Sequence, residues 1–291
     1  MSPEAGMGIG FPEESCVGKQ IKIKISILND EGASMTESVR MAELSWPEFE
    51  AKMAAGAPVI IPLGATEQHG PHLPLGVDVY LPTGVAERVA QDVGAIVAPT
   101  LPYGYKSQPR SGGGEVFPGT IGLDAQTFSL VLRDVIRGLG YHGARRIVVM
   151  NGHFENCWPS VEGVDLGLRE LRRDGIKDMH VMRLEYWDFV GRDTLDTLFP
   201  DGFPGTELEH ASLLETSLML AIRPDLVDMA KVPSDGPAKF PNYDRTPFRE
   251  GLVPASGVLA DARGSTVEKG EMLIADHVSR IVQAIRAEFS L

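Results

Sequence analysis

The chain has 291 residues, a formal net charge of −13 and an isoelectric point near 5.0. Its composition, 43% hydrophobic and 23% charged, supports a large core and argues against an intrinsically disordered protein. Binding to a phosphate backbone calls for clustered lysine and arginine, and the sequence has no long basic run. These quantities disfavour a nucleic-acid-binding protein and favour chemistry on a small molecule.

The cysteine content and the N-terminus point to a cytoplasmic protein. Cys16 and Cys157 are too few for a disulfide framework and do not form a CxxC motif. The N-terminus has no basic segment followed by an apolar stretch, and no apolar run is long enough to span a bilayer. We therefore expect a reducing compartment and no membrane association.

The first 37 residues differ from the rest of the chain in composition. Residues 1–37 mix Gly, Pro, Glu and Ser around an alternating segment at 21–25, which predicts a half-buried edge strand. We expect an N-terminal extension that packs on the domain or on a neighbouring subunit. Residues 38–291 are expected to form one domain.

From Met41 onward, apolar runs of strand length alternate with segments of helical periodicity. This order predicts an α/β fold with parallel strands and helical crossovers. The predicted strands are residues 58–63, 95–98, 146–150 and 180–184, and the predicted helices are residues 81–93, 125–139, 159–173, 211–222 and 267–289. The stretch 224–265 is rich in Pro, Gly and Asp, and we expect it to wrap the surface or an oligomer interface.

Acidic and imidazole side chains follow two of the predicted strands. Glu67 and His69 come after the strand at 58–63, and His153 and Glu155 come after the strand at 146–150. Residues two apart in extended backbone face the same side, so each pair can converge. Ligands bind outside the carboxyl ends of strands in open α/β sheets, where Asp78 could join the two pairs. The five side chains suit a pair of Zn²⁺ or Mn²⁺ ions with one bridging carboxylate.

Three further features are candidates for ligand contacts. The Ser-Gly-Gly-Gly segment at 111–114 lets backbone approach a ligand, but no Lys-Ser/Thr follows it, so no nucleotide is predicted. Trp187 follows the strand at 180–184 and fits either ring stacking at the sheet edge or core packing. His210 fits either a helix start or a catalytic role. The remaining histidines lack partners at ligand spacing and are assigned surface or core roles: His72, His142, His180 and His277.

With these motifs in view, the chain resembles the creatininase (creatinine amidohydrolase) family from about Met41 to the C-terminus, leaving the extension outside. The matching segments are GATEQHG at 64–70, VDV at 77–79, YGYKS at 103–107, SGGG at 111–114, NGHFEN at 151–156, YWDF at 186–189 and EH at 209–210. The resemblance implies a three-layer α/β/α sandwich with a mostly parallel central sheet. It also implies a homohexamer.

The same resemblance implies roles for individual residues. The metal ligands would be Glu67, His69, Asp78, His153 and Glu155, with Asp78 bridging two divalent ions. Ser111 and Trp187 would contact the substrate, and His210 would assist proton transfer. Three substrate-site positions depart from the family pattern: Phe154 replaces a tyrosine, Thr206 a tryptophan and Glu207 an aspartate.

The function that follows is hydrolysis of a small cyclic amide, with creatinine opened to creatine. A metal-bridging hydroxide would attack the ring carbonyl, and Glu155 or His210 would relay a proton to the ring nitrogen. An alternative is hydrolytic ring opening of a cyclic keto-polyol such as 3-dehydro-scyllo-inosose. An alternative of another class is a non-catalytic, metal-stabilised binding or scaffold protein.

Overall fold

The computed structural model describes residues 38–235 and 237–291. The predicted extension at 1–37, including its edge strand at 21–25, lies outside the described residues. The strands are β1 (Val59–Leu63), β2 (Ile96–Val97), β3 (Arg146–Asn151) and β4 (His180–Glu185). The helices are α1 (Trp46–Ala54), α2 (Val77–Val93), α3 (Ala125–Tyr141), α4 (Cys157–Arg173), α5 (Arg192–Leu198), α6 (Leu213–Ile222) and α7 (Val267–Phe289).

The four strands form one parallel sheet in the order β2-β1-β3-β4 within the described part of the chain. In the centre of the sheet, Ile60 of β1 is paired with Val97 of β2 and with Val148 of β3. Because all the strands run in the same direction, the loops that follow β1, β3 and β4 emerge at one edge of the sheet. This edge is where the candidate site lies.

Alternate side chains of the central strands face two separate cores. Ile60 and Val148 pack with buried residues of α2, α6 and α7 on one face of the sheet. Ile61 and Val149 pack with buried residues of α3 and α4 on the other face. The side chains of β1 are fully buried, as expected for a strand covered on both faces. The predicted three-layer α/β/α arrangement with a parallel sheet is confirmed.

Two helix starts differ from the sequence prediction, and both differences affect the site. Helix α2 begins at Val77 rather than at 81 and contains Pro82 in its second turn, and Asp78 therefore falls in the first turn. Helix α6 begins at Leu213 rather than at 211, because Ala211 has a left-handed φ of 55° that a helix cannot contain.

Other bounds agree with the prediction to within two residues, whereas the short helices α1 and α5 were not predicted. Helix α1 begins with a capping box in which Ser45 and Glu48 bond reciprocally.

Residues 224–265 contain only short 3₁₀ turns among the described positions, at Pro224–Leu226 and Met229–Lys231. None of the helices described is long and apolar enough to cross a membrane.

Candidate metal centre and active site

Four predicted ligands meet at the carboxyl edge of the sheet. Glu67 and His69 lie in the loop after β1, His153 lies directly after β3, and Asp78 projects from the first turn of α2; all four are buried. Gly64 makes the convergence sterically feasible, because a Cβ at this position would lie only 2.6 Å from the Asp78 carbonyl oxygen. The close approach of α2 to the end of β1 therefore requires glycine.

The Asp78 carboxylate lies between two imidazoles and presents one oxygen to each. Oδ1 lies 3.1 Å from Nε2 of His69, and Oδ2 lies 3.0 Å from Nδ1 of His153. Glu67 adds a second carboxylate, with Oε2 at 3.3 Å from the same Nδ1 of His153. A carboxylate that faces two separate nitrogen donors has the arrangement needed to bridge two cations.

Glu215 is a further acidic residue of this centre that the sequence reasoning missed. It lies in the first turn of α6, and its Oε2 is 3.6 Å from Nε2 of His69. The backbone N–H of Ala211 donates to the same Oε2 at 2.6 Å and fixes the carboxylate in place. The available signal was an acid within an otherwise apolar run, LLETSLMLAI, since a charge on a buried helix calls for a partner.

Within the described residues, three overlapping groups could hold a metal ion. They are Glu67 with Asp78 and His153, His69 with Asp78 and Glu215, and Glu67 with His69 and His210. Two buried atoms of these groups, Oε1 of Glu67 and Nε2 of His69, have no hydrogen-bond partner. The His69 Nε2 contact with Asp78 thus lacks hydrogen-bond alignment. Unpartnered buried donor atoms of nitrogen and carboxylate type fit divalent Zn²⁺ or Mn²⁺.

Proton affinities in the centre show how strongly its charges interact. Burial raises the pKa of Glu67 to about 7 and that of Glu215 to about 7. Burial lowers the pKa of His69, but the neighbouring carboxylates of Asp78 and Glu215 raise it to about 10. The protein's own protons therefore compensate a buried cluster of carboxylates, and divalent cations can replace those protons.

Glu155 lies beside the three metal groups rather than within them. Its Oε1 accepts hydrogen bonds from the Gln108 N–H at 2.6 Å and from the Ser111 hydroxyl at 2.7 Å. Its Oε2 is buried without a hydrogen-bond partner, 3.3 Å from Nε2 of His153. One oxygen is thus held by the glycine-rich loop and the other is free. Its predicted role as a metal ligand stays a prediction.

His210 presents one ring nitrogen to the centre in a defined tautomer. The two amide hydrogens of Gln68 are donated to the carbonyl oxygens of Gly112 and Gly257, at 3.0 and 2.9 Å. Nε2 of His210 lies 2.9 Å from the backbone carbonyl oxygen of Gln68 and donates to it. Nδ1 is then the unprotonated nitrogen, 3.9 Å from Oε2 of Glu67.

Burial lowers the pKa of His210 well below its ordinary value, and the nearby His69 lowers it further. The two imidazole rings lie 4.4 Å apart. His210 is therefore a neutral base at physiological pH. It lies before α6 rather than in its first turn, next to the left-handed residue Ala211.

A cavity of about 210 Å³ opens onto the metal groups. The predicted substrate residues Ser111, Phe154, Trp187 and Thr206 line it together with Asp78, Glu155 and His210. The rings of Phe154 and Trp187 stack with their centroids 6.4 Å apart and form an aromatic wall. Glu207 lies outside this cavity and lines an adjacent one, where its Oε2 is 3.6 Å from Nη2 of Arg110.

The remaining histidines divide into surface and core positions, as predicted, with one addition. His142 and His180 are exposed, and His72 is buried with Nε2 at 3.0 Å from Oγ1 of Thr216. His277 is buried too, but it also lines the cavity. His277 lies three helical turns into α7, and the sequence pattern there does not indicate that it lines the cavity.

Comparison with known proteins agrees with this geometry. The family model named Creatininase, described as creatinine amidohydrolase, matches residues 42–285. The chain belongs to the creatininase family. A creatinine amidohydrolase from Pseudomonas putida is 51% identical over 257 residues, which cover 88% of this chain and 99% of the relative.

Solved creatininases share the fold over most of the chain. One variant complexed with creatine superposes with a TM-score of 0.85 at 50% identity, covering 87% of this chain and 99% of that one. A manganese form and a zinc–zinc form of a variant superpose at 0.85 and 0.86, with the same identity and coverage. More distantly, a 3-dehydro-scyllo-inosose hydrolase from Thermotoga maritima is 30% identical over 58% of this chain and 51% of its own length.

Proposed function

We propose that this member of the creatininase family is a dinuclear-metal amidohydrolase that opens creatinine to creatine. The observation that carries the proposal is the Asp78 carboxylate, which faces His69 with one oxygen and His153 with the other. The 51% identity to a creatinine amidohydrolase over nearly all of that relative supports creatinine as the substrate.

The residues present divide naturally between two cations. One would be held by Glu67, Asp78 and His153, and the other by His69, Asp78 and Glu215. Zn²⁺, Mn²⁺ or one of each suits this donor set, and the solved manganese and zinc–zinc creatininases support both metals. When bound, such ions supply a water that is acidic near neutral pH and polarise the carbonyl group of the substrate.

The reaction adds water across the ring amide: the oxygen joins the carbonyl carbon, the C–N bond breaks, and the ring nitrogen gains a proton. Glu155 is placed to transfer that proton, because Oε2 is free while Ser111 and Gln108 hold Oε1. The neutral Nδ1 of His210 is a second base within the same cavity. We assign Glu155 the main proton transfer and His210 an assisting role.

The walls of the cavity orient a flat ring. Phe154 and Trp187 present stacked aromatic faces, against which a planar ring can lie. The Ser111 hydroxyl of the glycine-rich loop donates to Glu155 and lines the cavity, where it can also contact the substrate. Thr206 lines the cavity at the position of the family's tryptophan, so the wall on that side is less aromatic.

The test is formation of creatine from creatinine by purified protein loaded with Mn²⁺ or Zn²⁺. Glu155→Gln removes the group that transfers the proton and keeps the shape, so we expect turnover to fall by roughly 10²–10⁴-fold. Glu162→Gln on the exposed side of α4 is the matched control and should behave as the wild type. Retained turnover in Glu155→Gln would remove Glu155 from the mechanism.

The same assay separates the other readings. If creatinine is not converted but 3-dehydro-scyllo-inosose is, the function is carbon–carbon ring opening, as in the Thermotoga maritima relative. If neither ring is converted while metal removal unfolds the protein, the cations stabilise a binding or scaffold protein. Product analysis by mass spectrometry distinguishes the two hydrolyses, because only the hydrolysis of creatinine cleaves a C–N bond.

Assembly and compartment complete the proposal. A homohexamer would explain the exposed apolar side chains on α1 and α4, such as Trp46, 74% exposed, and Trp158, 83% exposed. Light scattering coupled to size exclusion measures the assembly, and a monomer would refute it. A cytoplasmic location is consistent with the unpaired Cys157 and can be tested by cell fractionation.

A further inference from the structure

The active-site cavity is lined by four apolar side chains besides the metal groups and the aromatic wall. Val190, Leu195, Phe203 and Leu218 line it, and we call these four residues the apolar arm. Leu218 is fully buried on α6, whereas the other three are half-buried residues that follow β4 or belong to α5. None of the four carries a group that a metal or the ring amide needs.

His277 of α7 lines the same cavity and has an unused polar atom. The residue is 2% exposed, and its Nδ1 is buried without a hydrogen-bond partner. A buried imidazole nitrogen without a partner is uncommon and is accounted for by a ligand or water that completes its hydrogen bonding. His277 is therefore the polar residue that accompanies the apolar arm.

Tyr186 lies beside His277 in the lining of the active-site cavity. Its ring meets that of His277 edge-on, with centroids 5.4 Å apart, and meets that of Trp187 at 5.5 Å. Asp78 and His277 line the same cavity, so a ligand bound at the metals can extend to His277.

The size of the cavity allows such a ligand. Its volume is about 210 Å³, whereas a single water needs only ~10–15 Å³. A small planar ring against Phe154 and Trp187 leaves space that apolar side chains line. Water in that space would face four side chains that offer it no hydrogen bond.

We propose that the apolar arm and His277 bind a substituent on the substrate ring, namely an unbranched apolar chain that ends in a hydroxyl group. The chain lies against Val190, Leu195, Phe203 and Leu218, and the hydroxyl exchanges a hydrogen bond with Nδ1 of His277. The inference rests on the proposed function for the position of the ring, and it extends the substrate class from creatinine to creatinines with longer N-substituents.

The experiment compares three substrates: creatinine and two analogues in which its N-methyl group is replaced by n-butyl or 4-hydroxybutyl. In the wild type, the hydroxybutyl analogue is expected to have the highest kcat/KM. Val190→Phe fills the apolar arm, so the ratio of kcat/KM for the butyl analogue to that for creatinine should fall by roughly tenfold or more. Leu195→Phe tests the same wall if the first variant does not fold.

Val161→Phe is the matched control, because Val161 lies 45% exposed on α4 and is not among the residues that line the cavity. Its ratio should equal that of the wild type. His277→Leu should remove the preference for hydroxybutyl over butyl, by roughly tenfold, because the hydrogen-bonding atom is lost while the apolar volume is kept. A general structural defect would lower both analogues together.

Calorimetric binding of the ring-opened butyl product to metal-loaded protein separates the two proposals. If no creatinine is converted but this product binds and Val190→Phe abolishes the binding, the apolar arm stands and the proposed function fails. If creatinine is converted but the butyl ratio is the same in wild type, Val190→Phe and Leu195→Phe, the apolar arm is refuted and the proposed function stands.

Discussion

Oδ2 of Asp78 lies 3.0 Å from Nδ1 of His153, although the two residues are 75 positions apart in the chain. The contact joins the first turn of α2 to the loop after β3, and the other oxygen of Asp78 faces His69 in the loop after β1. One carboxylate therefore ties three elements of the sheet edge together. Asp78 is also the residue shared by the group with Glu67 and His153 and the group with His69 and Glu215.

Asp78→Asn should remove both cations. The amide keeps the volume of the side chain but offers only one weak donor oxygen, so it cannot bridge. We expect turnover to fall at least ~100-fold, with no metal retained after dialysis. Metal content by inductively coupled plasma spectrometry checks this, with Asp165→Asn on the exposed face of α4 as the control. Full metal retention in Asp78→Asn would show that Asp78 is not a ligand.

Glu215→Gln should remove one cation and leave the other. Only the group of His69, Asp78 and Glu215 contains this residue, whereas the group of Glu67, Asp78 and His153 does not. The metal-to-protein ratio should therefore fall to half the wild-type value. A wild-type ratio in the variant, measured at the same free-metal concentration, would place Glu215 outside the metal centre.

Gly112→Ala should weaken metal binding, although Gly112 is not itself a metal ligand. A Cβ at this position would lie 1.9 Å from Oε1 of Glu67, so the carboxylate must move. We expect metal affinity to fall by roughly 10–100-fold, as for other changes that displace a ligand. Gly138→Ala in α3 meets nothing within 4 Å and should instead stabilise the helix by ~0.5–1 kcal/mol. Equal metal affinities in the two variants would contradict this reading.

His277 should make the protein less stable in acid. Burial lowers the pKa of His277 from 6.5 to about 4. Between these values the unfolded chain binds a proton that the folded protein does not, so lowering the pH from 7 to 4 favours unfolding.

His277→Phe lacks the imidazole and therefore does not lose stability in this way. As the pH is lowered from 7 to 4, the free energy of unfolding of the variant relative to that of the wild type should rise by on the order of 2–3 kcal/mol. Urea unfolding at both pH values measures it. His142→Phe on the exposed end of α3 is the control and should show no such rise. A pH-independent difference for His277→Phe would show that the buried imidazole binds protons as readily as an exposed one.

The sheet and three metal-site residues could be predicted from local patterns. Apolar runs bounded by glycines mark β1 and β3, and the period of extended backbone brings Glu67 towards His69. Parallel strands place both loops at one edge, so His153 could be joined to this pair without a known structure. These inferences need only the direction of the chain at the end of each strand.

Glu215 and His277 could not be predicted in the same way. Each lies on a helix whose rotation and position are set by packing against the rest of the protein, and the left-handed Ala211 determines where α6 begins. The helical pattern shows that an acid or an imidazole is on an apolar helix but not which cavity it lines. Long-range packing decides these positions, and it is not readable from local spacing.

The most direct test of the two-metal account is a titration of the metal-free protein with Mn²⁺ or Zn²⁺ while creatine formation from creatinine is followed. Because Asp78 links both metal groups, creatine formation should rise until two ions are bound per chain and should be absent in Asp78→Asn. Creatine formation that is complete without metal, or none from protein that has bound both ions, would contradict the account.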